Sequence, residues 1–191
     1  MKKYISIIAL LSFFMIGCSE QTSANSPIDN VNTNEPNWIA LPMGSGSNIE
    51  NQFSTSGWIN KGTDSEFIID KSRPGGFRGE IKTIVKIKFY AGSVSKNSFM
   101  TLTADDLSSL CTFGPRQTFL KPGELYVKYE GLDLTGINAD EIDFVYMNAN
   151  GVYESIQYGE IKVDIQSGIL ELKDGKIPHF SRYGFIRKEE E

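Results

Sequence analysis

Apolar and polar residues alternate every second position along much of the stretch from Glu66 to Ile186, and that period admits few folds. Ile81, Thr83, Val85, Ile87 and Phe89 share one face of an extended chain, with Lys82, Lys86 and Lys88 on the other. Such a strand buries one side and wets the other. Further strands are read at Phe67–Ile69, Phe99–Thr103, Leu110–Phe113, Leu125–Glu130, Phe144–Met147, Val152–Ile156, Glu160–Ile165, Ile169–Leu172 and Ile177–Ile186. Turn chemistry separates them at Lys71-Ser72-Arg73-Pro74-Gly75-Gly76, Ala91-Gly92-Ser93, Gly114-Pro115, Lys121-Pro122-Gly123 and Gln166-Ser167-Gly168. Asn150-Gly151 fits a type I′ hairpin, because both central residues tolerate positive φ. No helix-period stretch of useful length follows Cys18. Many short strands with turns between them predict an all-β fold, an antiparallel sandwich or barrel.

The first residues follow a different logic. Lys2 and Lys3 precede an apolar run from Tyr4 to Met15, and Met15-Ile16-Gly17-Cys18 ends in a small residue before cysteine. The run is shorter than the roughly 20 residues a spanning helix needs. The pattern resembles a bacterial lipobox, with Met15 where Leu is usual; an ordinary secretory leader is the rival reading. The resemblance implies cleavage of residues 1–17 and acylation of Cys18, which fastens the chain to a membrane with no helix in the bilayer. Ser19 after the cysteine directs such a protein to the outer membrane in a Gram-negative envelope. Residues 18–36 are rich in Ser, Thr and Asn and predict a disordered tether. Residues 37–65, with Trp38 and Trp58, predict short strands or an edge extension; residues 187–191 predict a charged, fraying tail.

Removing residues 1–17 takes away two of 19 basic side chains and leaves 17 against 24 acidic ones, a net of −7. That balance argues against nucleic acid as a partner. Cys111 is the only cysteine besides Cys18, so the folded part has no disulfide. Between Leu110 and Thr112-Phe113 it reads as a buried strand residue, a reactive thiol being the alternative. His179 is the only histidine, which restricts any zinc site or nucleophile–base pair to one position.

Several segments in order resemble the ZU-five domain of zonula-occludens proteins, netrin receptors of the Unc-five type and ankyrins. They are Pro74-Gly75-Gly76, Ala91-Gly92-Ser93-Val94, Thr112-Phe113-Gly114-Pro115 with Phe119, Pro122 and Leu125, and Ile177-Pro178-His179-Phe180-Ser181-Arg182-Tyr183. Tyr90 replaces a usual proline and Gly123 a usual valine. The resemblance implies an immunoglobulin-like β-sandwich over residues 66–186, and a family made mostly of interaction modules.

The same likeness bears on chemistry. In some eukaryotic relatives the chain cuts itself between Phe and Ser of this tripeptide, which here makes Ser181 the nucleophile and His179 its proton carrier. Bacterial members keep the tripeptide as a structural closing strand, with Phe180 in the core. Ala104-Asp105-Asp106 and Asn138-Ala139-Asp140-Glu141 are acidic but lack the oxygen spacing of a calcium loop, so solvated turns are expected and no cofactor or metal. The expectation is therefore an envelope lipoprotein that is not an enzyme and binds or scaffolds an envelope protein or polysaccharide. Self-cleavage between Phe180 and Ser181 is the first alternative. A carbohydrate-binding module using Trp38, Trp58 or the tyrosines is the second, against which isolated tryptophans are expected to pack on the domain.

Overall fold

In Glu80–Phe89 (β3) the alternation becomes burial: Ile81, Thr83, Val85, Ile87 and Phe89 are buried, and the lysines between them face outward. The structure is a computed structural model and describes residues 37–42, 53–148 and 152–188. The lipobox, the tether and the Asn150-Gly151 turn lie outside those residues.

Two antiparallel sheets pack as a β-sandwich. One has six strands, Phe53–Ile59 (β1), Ser98–Ala104 (β4), Leu110–Gly114 (β5), Arg182–Arg187 (β11), Ile142–Met147 (β7) and Tyr153–Ser155 (β8), in the order β1-β4-β5-β11-β7-β8. The other is Ser65–Pro74 (β2), β3, Thr118–Glu130 (β6), Ile169–His179 (β10) and Glu160–Asp164 (β9), in the order β2-β3-β6-β10-β9. The inward faces meet in a core that includes Met100, Leu102, Leu125, Val127, Tyr129, Phe144, Tyr183 and Phe185. Strands β7 and β8 pair from Val145↔Ser155 to Met147↔Tyr153, as the flanks of a hairpin would.

Segment 37–42 and β1 belong to the sandwich. Ile39 N donates to Phe185 O (2.9 Å), Ser109 N to Ile39 O (2.8 Å) and Leu41 N to Leu107 O (2.8 Å). Ile39, Leu41 and Ile59 are core residues. At the other end, Arg187 N donates to Asn37 O (3.1 Å) and Lys188 N to Glu141 O (2.7 Å). The first two residues of the expected tail are thus fastened.

Three boundaries differ from the sequence reading. Lys71–Pro74 continues β2, pairing as far as Pro74↔Glu80, and the turn falls at Gly75–Gly79, where Gly75 (φ 115°) and Gly79 (φ 97°) supply positive φ. Pro74 is tolerated as the last residue of an edge strand. Lys121-Pro122-Gly123 lies inside β6, not at its end. There the β6–β10 register jumps from Ile177↔Gly123 to His179↔Thr118, and pairing to β3 stops at Glu124, so Pro122 sits where no ladder donor is required. Gly123 is glycine for a packing reason, since a Cβ there would lie 2.7 Å from the Phe89 ring. Finally, Ile177–Ile186 is not one strand. β10 runs through a bulge at Lys173-Asp174 to His179, and β11 begins at Arg182 in the opposite sheet.

Candidate functional site

The tripeptide His179-Phe180-Ser181 is the place where the chain leaves one sheet for the other. His179 ends β10, Arg182 opens β11, and only Phe180 and Ser181 lie between them. Both crossing residues are fixed by backbone bonds: Phe180 N donates to Gln117 O (2.8 Å) and Phe113 N donates to Ser181 O (2.9 Å). The Phe180 ring enters the core beside Phe119 (4.8 Å between centroids), Phe113 (6.0 Å) and Phe89 (6.1 Å).

A cleft of about 350 Å³ lies over the crossing, with Arg116, Tyr146, Asn148 and His179 among its walls. Tyr183 Oη donates to the His179 carbonyl at 2.6 Å and lies 3.4 Å from Nδ1 of the same residue. Burial pushes the Tyr183 phenol upward, with Tyr146 adding to the rise and the bond to the His179 backbone opposing it, so it remains a donor. The Tyr146 ring meets the imidazole edge-on at 4.7 Å. Ser181 Oγ donates to Met147 O. The two residues expected to cooperate in cleavage are thus neighbours in sequence whose hydrogen bonds run apart. The serine proton points at a carbonyl of β7, and Nδ1 faces a tyrosine, so no relay from Ser181 to His179 is assembled.

Cys111 is fully buried on β5, with its sulfur 4.0 Å from Tyr129 Oη. Burial is the main reason its thiol is pushed up to about 12; the Tyr129 hydroxyl works weakly the other way and Asp105 adds to the rise. A thiol so protonated is a packing residue. The two acidic stretches are turns in which Asp105 and Glu141 already hold hydrogen-bond partners. Asp105 Oδ1 accepts from Leu107 N (2.7 Å) and Ser108 N (3.0 Å). Asn138 caps a 3₁₀ turn over Ala139–Glu141, and Glu141 Oε2 accepts from Arg187 Nε at 2.9 Å. Among the described residues no group of three His, Cys, Asp or Glu side chains converges on a point where a metal ion would sit.

The tryptophans part company. Trp38 is half-buried and lies over Gly184, where a Cβ would approach its ring to 3.0 Å. Trp58 does not pack down as expected: it is 60% exposed at the outer face of β1, edge-on to the exposed Phe99 of β4 at 5.5 Å. Register builds a surface from that pair. Trp58 stands opposite Phe99, Ser56 opposite Thr101, which pairs with Gly114, and Ser54 opposite Thr103, which pairs with Thr112. The outward positions of β1, β4 and β5 hold no ionisable side chain, and Arg182, paired with Thr112, marks the border. No hydrogen bond joins the hydroxyls of Ser54, Ser56, Thr101, Thr103 and Thr112 to another described residue.

The outer face of the second sheet is the opposite. Its strands carry ion pairs, Lys82–Asp70 (3.4 Å), Lys173–Glu160 (2.8 Å) and Lys176–Glu124 (3.0 Å), and Tyr126 donates to Glu171 at 2.7 Å. Sheet edges repeat the contrast. β2 and β9 are studded with charge and β8 is three residues long, whereas β1, Phe-Ser-Thr-Ser-Gly-Trp-Ile, has no charge at all. Charged or short edges discourage further pairing, and β1 lacks that protection. The sequence showed the hydroxyls of each strand. It did not show that β1, β4 and β5 adjoin, which is what turns them into one surface. Searches against protein-family models, curated proteins and solved structures find no match to this chain.

Proposed function

We propose that the chain is a non-enzymatic binding module of the cell envelope, held to a membrane by acyl chains on Cys18 and presenting the charge-free β1-β4-β5 face to its partner. The observation that carries the reading is the contrast between the uncharged β1-β4-β5 part of one sheet and the charged outer face of the other. A face kept only for solubility is laced with charge, as that of β2-β3-β6-β10-β9 is. A face without charge that also exposes Trp58 and Phe99 meets the compositional pattern of a recognition surface, in which charged residues are depleted and aromatics enriched. The likeness to ZU-five modules supports the same class, as an analogy of fold. The leader pattern before Cys18 supports the anchor.

Two measurements test it. The full chain expressed with its leader is expected to incorporate labelled palmitate and to fractionate with membranes, and Cys18→Ser to do neither. Partners crosslinked from envelope extract are expected to be lost with Ser56→Lys, which puts a charge on the face, and kept with Tyr126→Ala on the opposite sheet. Equal capture by both variants would remove the face from the proposal, and palmitate-free wild-type protein would remove the anchor.

A further inference from the structure

We infer that the partner of the β1-β4-β5 face is a neutral polysaccharide chain lying across the three strands, with a sugar ring against Trp58 and its hydroxyls bonded to the Ser/Thr rows. This rests on the preceding reading that the face is the binding surface, and adds the class of ligand.

Charge comes first. An acidic or basic polymer binds where opposite charge awaits it. Here the outward positions of three adjacent strands offer none. A ligand that loses little by entering such a surface is itself uncharged.

Hydrogen-bonding capacity comes next. Ser and Thr hydroxyls both donate and accept, as sugar hydroxyls do. On this face they stand in rows, separated by about 4.8 Å between strands and about 6.8 Å along a strand. No hydrogen bond ties them to another described residue, so a polyhydroxylated chain can bond to them in place of solvent. A protein partner fits less well, because the buried centre of a protein interface is apolar and poor in serine.

The aromatic pair supplies the third element. Trp58, 60% exposed, is backed edge-on by Phe99, so its ring is braced rather than free to swing. An indole face carries negative potential, which suits the C–H face of a pyranose, and its area removes apolar sugar surface from water. Apolar contact at one end and hydroxyl rows beyond it match the two aspects of a sugar chain.

The test uses the protein as isolated from membranes after expression with its leader, in detergent micelles. Affinity electrophoresis is run through gels containing laminarin, mannan, amylose or dextran, with polygalacturonate as the anionic comparison. At least one neutral polymer is expected to retard the protein and polygalacturonate to do so less. Trp58→Ala should weaken retardation about tenfold. The near-isosteric pair Thr101→Val with Thr103→Val should weaken it about three- to tenfold, since each loses a hydroxyl and little volume. Phe77→Ala, at an exposed aromatic on the β2–β3 turn, should leave it unchanged. Thermal melts of each variant confirm that it folds. No retardation by any neutral polymer, retardation indifferent to Trp58 and the threonines, or preference for polygalacturonate overturns the inference. A protein captured from envelope and lost with Ser56→Lys, alongside no retardation, overturns it too while leaving the binding face of the preceding section intact.

Discussion

Phe180 shows how much one side chain settles at a sheet crossing. Its ring is 3% exposed and touches Phe119, Phe113 and Phe89, which come from both sheets, so it joins the two layers where the chain changes between them. Phe180→Ala is expected to cost about 3–5 kcal/mol in urea unfolding, the range for emptying an aromatic site in a packed core. A loss below about 1 kcal/mol would mean that the cluster collapses around the gap. Cys111 makes a pH-dependent contribution. Its folded thiol is raised to about 12 against a reference of 9.0, so the unfolded chain releases that proton first. The stabilisation is complete below about pH 9 and is lost as pH rises toward 12, at up to about 1.4 kcal/mol per unit. Tyr129, raised chiefly by burial, adds to the slope in the same direction. The urea midpoint should therefore fall between pH 9 and 11, and fall less steeply in Cys111→Ala. Parallel slopes in the two proteins would place the alkaline loss elsewhere. That Cys111 is buried was readable from its neighbours, since Leu110-Cys111-Thr112-Phe113 alternates. That it faces Tyr129 across the core was not.

Among the elements, β2 runs well past the strand expected and adds a side-chain tie to the fastening of segment 37–42. Arg73 stands near its end, donating to Pro42 O at 2.8 Å, to Asp106 O and to Pro74 O at 3.3 Å. One guanidinium thus ties β2, segment 37–42 and the β4–β5 loop. Its Nε is buried with no partner among the described residues, a cost the other bonds offset. Arg73→Ala should destabilise the fold by about 1–3 kcal/mol and speed amide exchange at Ile39 and Leu41. Arg73→Lys should recover only part of this, because an ammonium does not reproduce the planar fork. Exchange rates equal to wild type in Arg73→Ala would show that the segment is held by its own ladder bonds. In sequence, Arg73-Pro74-Gly75 reads as a turn because proline and glycine dominate local preference. The strand persists to Pro74 because β3 offers partners up to Glu80, and a long-range partner is not a local property. β6 gives the same lesson: Pro122 reads as a breaker, yet the strand passes through it at a register jump that only β10 reveals.

At the scale of the molecule, the tripeptide His179-Phe180-Ser181 joins the sheets without bringing nucleophile and base together. Ser181 Oγ is committed to Met147 O, and Nδ1 of the imidazole lies 3.4 Å from Tyr183 Oη. The mature protein should therefore keep one intact mass through long incubation at neutral pH. A fragment corresponding to Ser181–Glu191 would show that Ser181 reaches the Phe180 carbonyl in solution. The period-two pattern, the turn dipeptides and the lack of helical period determined by themselves that the fold is all-β, because each depends on residues within a few positions of one another. Which strands adjoin, which sheet receives β11, and hence the union of Ser54, Ser56, Trp58, Phe99, Thr101, Thr103 and Thr112 on one uncharged face were decided only by the tertiary structure. The physical reason is that alternation fixes which side of a strand is buried. It carries no information about the neighbour across the ladder, which is chosen by the packing of the two inner faces against each other.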